Sequence, residues 1–174
     1  MRTMLKTGFG IKEIPSPVGT ELCGYGYYLE RVCDASLDPL HVRCVALASG
    51  ETKSLVFSAD LICLSEELHQ QIRCSVSDKL GYSGREVMIL CTHTHTGPAT
   101  SNLEGCGVVN EDYNSRIPAV FLAAAEQAVA DLALAEELEE CCQPIEPVGF
   151  NRNFQNGPHD AVVRGLRIRR AGRP

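Results

Sequence analysis

Between residues 54 and 91 the chain runs through a β-prone stretch, an amphipathic stretch and an unbroken apolar stretch. This order constrains the fold more than any other feature. Residues 54–58 (Ser-Leu-Val-Phe-Ser) suit a strand. Over residues 65–80, Leu68, Ile72 and Val76 recur at helical spacing, Ser65 can cap the N-terminus and Gly81 can stop the helix. Residues 86–91 (Glu-Val-Met-Ile-Leu-Cys) form a continuous apolar run, as expected of a buried strand. A strand, a crossover helix and a second strand make a βαβ unit, so the two strands are expected to be parallel neighbours.

The flanking segments add antiparallel partners. Residues 5–14 suit a strand that ends at Pro15, and residues 15–26, with three glycines and two prolines, read as a turn-rich loop. Residues 42–48 suit a strand entered through Asp38-Pro39; Ser49-Gly50-Glu51 makes a turn that pairs it with 54–58 as a hairpin. A long loop over residues 92–110 has the length typical of functional loops. A second helix is expected over residues 111–137, kinked or re-started at Pro118, with its strongest part in the alanine-rich stretch 121–138. Residues 145–151 and 162–170 suit two more strands, the second alternating Leu166 and Ile168 with Arg167 and Arg169. The expected class is α/β: a mixed β-sheet with helices packed on it. A length of 174 residues suits a single domain.

Charge and cysteine content narrow the partners. A formal net charge of -6 argues against nucleic acid. The basic run Arg164, Arg167, Arg169, Arg170 and Arg173 reads as a solvated strand edge. No apolar run approaches the roughly 20 residues that span a bilayer. The N-terminus shows no signal-peptide pattern. Nine cysteines without a Cys-x-x-Cys pair suggest reduced thiols and a cytoplasmic location. Cys44, Cys63 and Cys91 sit in apolar runs, as small buried hydrophobes do.

The chemistry concentrates in Cys91-Thr92-His93-Thr94-His95-Thr96-Gly97-Pro98, directly after the buried strand. Open α/β sheets bind ligands at the carboxyl ends of their strands. If this segment stays extended, His93 and His95 face the same way and can share a metal or a substrate. Zinc suits neutral imidazole, and a catalytic zinc takes three protein ligands and keeps one position open. The threonines either hold neighbouring groups or reflect β-propensity.

Five blocks in this order resemble the neutral/alkaline ceramidase family. Thr92-His93-Thr94-His95-Thr96-Gly97-Pro98 is similar to that family's Thr-His-Thr-His-Ser-Gly-Pro segment. Pro17-Val18-Gly19 with Gly24-Tyr25-Gly26, Asp38-Pro39-Leu40 with Arg43, Ser58-Ala59-Asp60-Leu61, and Gly149-Phe150-Asn151-Arg152 resemble further blocks. The resemblance implies zinc-dependent hydrolysis of a small amide or lipid amide. It makes His93 a zinc ligand and His95 a residue lining the site. Arg152 becomes a group that binds the substrate or its developing negative charge, or else a buried salt bridge that fixes its loop. Asp60 either orients a zinc-bound histidine or shapes the strand end, and Asp38 and Arg43 are structural. The family's other zinc ligands (a histidine, a glutamate and a tyrosine) and its catalytic serine have no match here. The chain is therefore expected to be the N-terminal portion of an incomplete catalytic domain.

Two other readings are open. A different metallohydrolase could use the His-x-His pair, although a metallo-β-lactamase-like enzyme needs Asp-His where Gly97-Pro98 stands, and an amidohydrolase barrel needs about 250 residues. A non-catalytic, truncated domain could instead associate through an exposed sheet edge, giving a homo-oligomer.

Overall fold

The computed structural model describes residues 4–170. The chain divides into two compact units, Met1–Leu132 and Ala133–Pro174.

In the first unit, β1 (Lys6–Glu13), β2 (His41–Ser49) and β3 (Thr52–Ala59) pair antiparallel in sequence order. The β2–β3 hairpin closes at Gly50, which has a φ of 61°. β4 (Val87–Cys91) pairs parallel with β3, from Leu55 opposite Val87 to Ala59 opposite Cys91. The helix α1 (Glu66–Leu80) makes the crossover between them. The sheet is thus mixed, as expected, and helices pack on it.

Local chemistry fixes the ends of α1. Ser65 accepts the Leu68 N–H at 3.2 Å, Gly81 closes the helix in the left-handed conformation, and Glu66 and Glu67 lie where the helix dipole favours acids. Leu68, Ile72 and Val76 are buried together with Leu55, Phe57, Val87, Ile117 and Phe121. After α1, a short 3₁₀ turn over Gly84–Glu86 leads into β4. The helices α2 (Glu111–Asn114) and α3 (Ile117–Ala130) follow, and Pro118 sits in the first turn of α3, re-starting the helix where its missing N–H costs nothing. Tyr113 of α2 donates its hydroxyl to the Pro15 carbonyl at 2.6 Å, tying the N-terminal loop to the helices.

The contact between α3 and β1 rests on absent side chains. Gly8 and Gly10 lie on the helix side of β1, and α3 presents Ala124, Ala125 and Ala128. A Cβ on Gly10 would collide with the Ala124 carbonyl and lie 2.8 Å from the Ala128 nitrogen. Along the same edge, the N–H groups of Phe9 and Ile11 donate to Asp131 at 2.9 Å and Gln127 at 3.2 Å.

The second unit corrects two expectations. The second helix does not run to residue 137. It stops at Ala130, and Ala133–Pro144 forms the strand β5, antiparallel to β6 (Val162–Arg170). The Ala, Leu and Glu residues of this stretch favour a helix in isolation. Cross-strand pairing overrides that preference: Leu138 lies opposite Ile168, Glu139 bonds Arg167 at 3.1 Å and Glu137 bonds Arg169 at 3.0 Å. Arg167 and Arg169 of the basic run are thus matched to acids, and Arg164 is bound to Asp160; Arg173 lies outside the described residues. The strand expected over 145–151 is also absent. Ile145 adds one rung by donating to the Ala161 carbonyl, after which Asn151 organises a turn by accepting the N–H groups of Asn153 and Phe154.

All nine cysteines are free thiols. Cys44 is buried as expected, while Cys63 and Cys91 are half-buried against the core. Among the described residues, no helix is long and apolar enough to cross a membrane.

Two outcomes follow for stability. Gly10→Ala forces α3 off β1 and should lower the unfolding free energy by about 2–3 kcal/mol. The thermal midpoint should fall by roughly 5–10 °C, as read by circular dichroism. Burial pushes the Cys44 thiol up from 9.0 to about 12. The unfolded thiol therefore ionises first: Cys44 adds stability in full below pH 9.0 and loses it as pH rises through about 12. Thiol labelling at pH about 8 should modify exposed Cys74 and Cys142 quickly and spare Cys44 until the chain unfolds.

Candidate functional site

The parallel association of β3 and β4 continues beyond both strands. Thr92 N–H donates to the Ala59 carbonyl at 2.9 Å, and His93 N–H donates to the Leu61 carbonyl at 3.0 Å. His93 then takes a φ of 61°, so the segment turns rather than staying extended. Alternation along a strand is therefore not what brings the two histidines together. The turn at His93 does so: the rings of His93 and His95 lie edge to face with centroids 4.9 Å apart. His93 is exposed and His95 half-buried.

The partners of the two imidazoles differ in kind. His93 Nδ1 lies 3.0 Å from the Ile62 carbonyl oxygen. A carbonyl can only accept, so this nitrogen carries the proton and Nε2 keeps its lone pair. His95 Nδ1 faces the Tyr25 backbone N–H at 3.4 Å. That group can only donate, so in neutral His95 the proton sits on Nε2. One ring thus offers a lone pair, and its neighbour offers an N–H.

The loop that carries His95 is held from the other side by residues 20–33. Cys23 N–H donates to the Gly97 carbonyl at 2.9 Å, Leu22 bridges Pro98, and Ala99 N–H donates to the Glu21 carbonyl at 3.0 Å. Gly24, at φ 110°, lets the two backbones meet: a Cβ there would sit 2.5 Å from His95 Cγ. The Tyr25 ring makes an edge contact with His95 at 5.1 Å. Arg31 lies over Tyr25 with its guanidinium carbon 4.9 Å from the ring centre. It donates to the His95 carbonyl at 3.0 Å and to the Gly24 carbonyl at 3.4 Å. Beneath the loop, Cys23, Ile62 and Ala99 form a small second core with Cys63 and Cys106. Burial, then the nearby Cys63 and Cys106 thiols, push the Cys23 thiol up.

Other expected residues fall into different places. Asp60 does not orient His93. It accepts the Arg43 guanidinium at 2.9 Å and the His41 N–H at 3.0 Å, so it fastens the end of β3 to the start of β2, with Arg43 structural as expected. The Ile62 carbonyl takes the orienting role instead. Thr94 and Thr96 bond to each other at 3.0 Å and shape the turn. Arg152 is exposed in the second unit, inside the turn that Asn151 closes onto Asn153 and Phe154. It is in no salt bridge among the described residues, so it does not lock its loop through a buried ion pair. A cavity of about 460 Å³ is lined by Ser65, Gln71, Thr100 and Asn114, but neither histidine borders it. Sequence reading missed Arg31, Ile62 and the role of the Tyr25 backbone. No local pattern marks them, because Arg31 and His95 meet across 64 residues.

His93 Nε2 can fill one coordination position, while no group of three or more His, Cys, Asp or Glu residues that could hold a metal occurs among the described residues.

No family model and no curated protein sequence matches this chain. Solved structures do. The neutral ceramidase from Pseudomonas aeruginosa superposes with a TM-score of 0.81 at 18% identity, covering 98% of this chain and 30% of that one. A ceramidase complexed with C2 superposes with a TM-score of 0.77 at 18% identity, covering 97% of this chain and 29% of that one. The chain therefore has an α/β fold shared with neutral ceramidases, and it spans about 30% of their length.

Proposed function

We propose that this chain forms part of the active site of a zinc-dependent amide hydrolase acting on a small or lipid amide. The observation that supports this most is the opposite hydrogen-bond partners of two neighbouring imidazoles, a carbonyl on His93 and an N–H on His95, at the end of a parallel strand pair. The fold likeness to neutral ceramidases supports the substrate class.

In this reading His93 Nε2 takes one position on zinc. Its Nδ1–H bond to Ile62 fixes both the tautomer and the ring orientation, as backbone carbonyls do for zinc-bound histidines elsewhere. Zinc held there would supply Lewis-acid polarisation of the amide carbonyl. His95 keeps its proton on Nε2, so it can donate to the carbonyl oxygen as negative charge builds there. Such a donor acts in the transition state more than in the ground state, because the oxygen is most basic when charged. Arg152 is assigned to the substrate or its oxyanion, as a cation with donors to spare. Further zinc ligands and the nucleophile come from outside the described residues of this chain, consistent with its span of about 30% of the ceramidases.

Two substitutions separate the two histidine roles. The chain alone should take up zinc weakly and lose it on dialysis; His93→Ala should abolish this residual uptake, and His95→Ala should leave it unchanged, as measured by elemental analysis and calorimetric titration. In the protein that carries the complete site, His93→Ala should remove amide hydrolysis. His95→Ala should lower kcat by about 10²–10³-fold with zinc retained, the usual loss for one oxyanion donor. One tightly held zinc per chain that survives His93→Ala would overturn the assignment.

A further inference from the structure

The turn that feeds His95 holds a conformation its residues do not favour. Between Gly24 and Arg31, Tyr25 (φ 54°), Tyr27 (φ 65°) and Glu30 (φ 62°) all lie in the left-handed region. Non-glycine residues persist there only when surrounding contacts over-determine them. Tyr25, Tyr27 and Tyr28 are largely exposed, so core burial does not hold this turn.

The Tyr27 N–H donates to the Gly105 carbonyl farther along the turn, and Arg31 restrains its start at Gly24 and Tyr25. Its two terminal nitrogens reach carbonyls on two different segments, His95 at 3.0 Å and Gly24 at 3.4 Å, while its plane covers the Tyr25 ring. Only a flat, forked cation can do all three. Among the described residues, Arg31 is in no ion pair with a carboxylate. Its own backbone is pinned separately: its carbonyl accepts the Leu22 N–H at 2.8 Å, beside the bridge between Glu21 and Val32. The side chain can therefore be changed without releasing the strand-like pairing of residues 20–33.

We propose that Arg31 is a positioning residue for His95: it clamps the Gly24–Tyr25 turn against the His95 loop, so that the Tyr25 N–H stays on His95 Nδ1 and the ring stays fixed. This rests on the reading of His95 as a donor that faces the substrate. Without the clamp, Tyr25 relaxes toward negative φ and its N–H swings away from the ring. His95 then loses both its backbone donor and its edge contact with Tyr25. Arg31 touches no reacting atom in this scheme; it acts through Tyr25.

Nuclear magnetic resonance on the 174-residue chain tests this directly, with Arg31→Met, Arg31→Lys and His95→Ala variants. Arg31→Met keeps an apolar cover over Tyr25 and removes the fork. The wild-type chain should show a clear Overhauser contact between the Tyr25 and His95 rings, and one His95 tautomer protonated on Nε2. Arg31→Met should cut that contact by more than half and average the ring-nitrogen signals, with the melting midpoint and the strand resonances unchanged. Arg31→Lys should restore part of the contact. An unchanged ring contact in Arg31→Met overturns the proposal, and so does a fall in melting midpoint with loss of core resonances. Amide hydrolysis by the complete enzyme reports on the chemistry separately. A loosened His95 ring in Arg31→Met together with full hydrolysis by His95→Ala would leave the clamp standing and remove the donor role from His95.

Discussion

The hydrogen bonds that continue the β3–β4 pairing past the ends of both strands are the constraint on which the site depends. They run from Thr92 to Ala59 and from His93 to Leu61, and they deliver the His93 ring to the next carbonyl, that of Ile62. Parallel strands leave the sheet side by side, so residues after one strand lie beside residues after the other. The His93 backbone and ring are both held by consecutive residues of one neighbouring segment. A left-handed turn at His93 then brings His95 against it.

That delivery requires a stiff base. The sheet obtains it by close packing: glycines on β1 let the backbone of α3 approach, and α1 covers β3 and β4 with Leu68, Ile72 and Val76. The Asp60–Arg43 pair and the Asp60 bond to His41 fix the point where β3 ends and the site begins. The site itself is built from loops whose shape depends on a few polar contacts, with Arg31 at their centre.

Much of the first unit was legible because its signals are local. Ser65, the Leu68–Ile72–Val76 spacing and Gly81 define α1 to within a residue, and the apolar run before Thr92 defines β4. The failures share one cause. Residues 133–144 have helix-forming composition, and only their pairing with Val162–Arg170 makes them a strand. The complementary charges of Glu137 and Glu139 with Arg169 and Arg167 were the available signal, but it spans about 30 residues and carries no local periodicity. Residues 145–151 lack a partner beyond the first rung, so β-prone side chains there did not make a strand.

The sequence by itself determined the α/β class, the βαβ crossover and the place of the histidine pair at a strand end. Periodicity, capping residues and apolar runs act over a few residues, and they are written in order along the chain. The tertiary structure decided what the histidines can do. Which nitrogen carries the proton depends on whether its neighbour accepts or donates, and those neighbours are Ile62, 31 residues from His93, and Tyr25, 70 residues from His95. A hydrogen-bond partner so distant along the chain is set by how the backbone folds, and no local pattern records it.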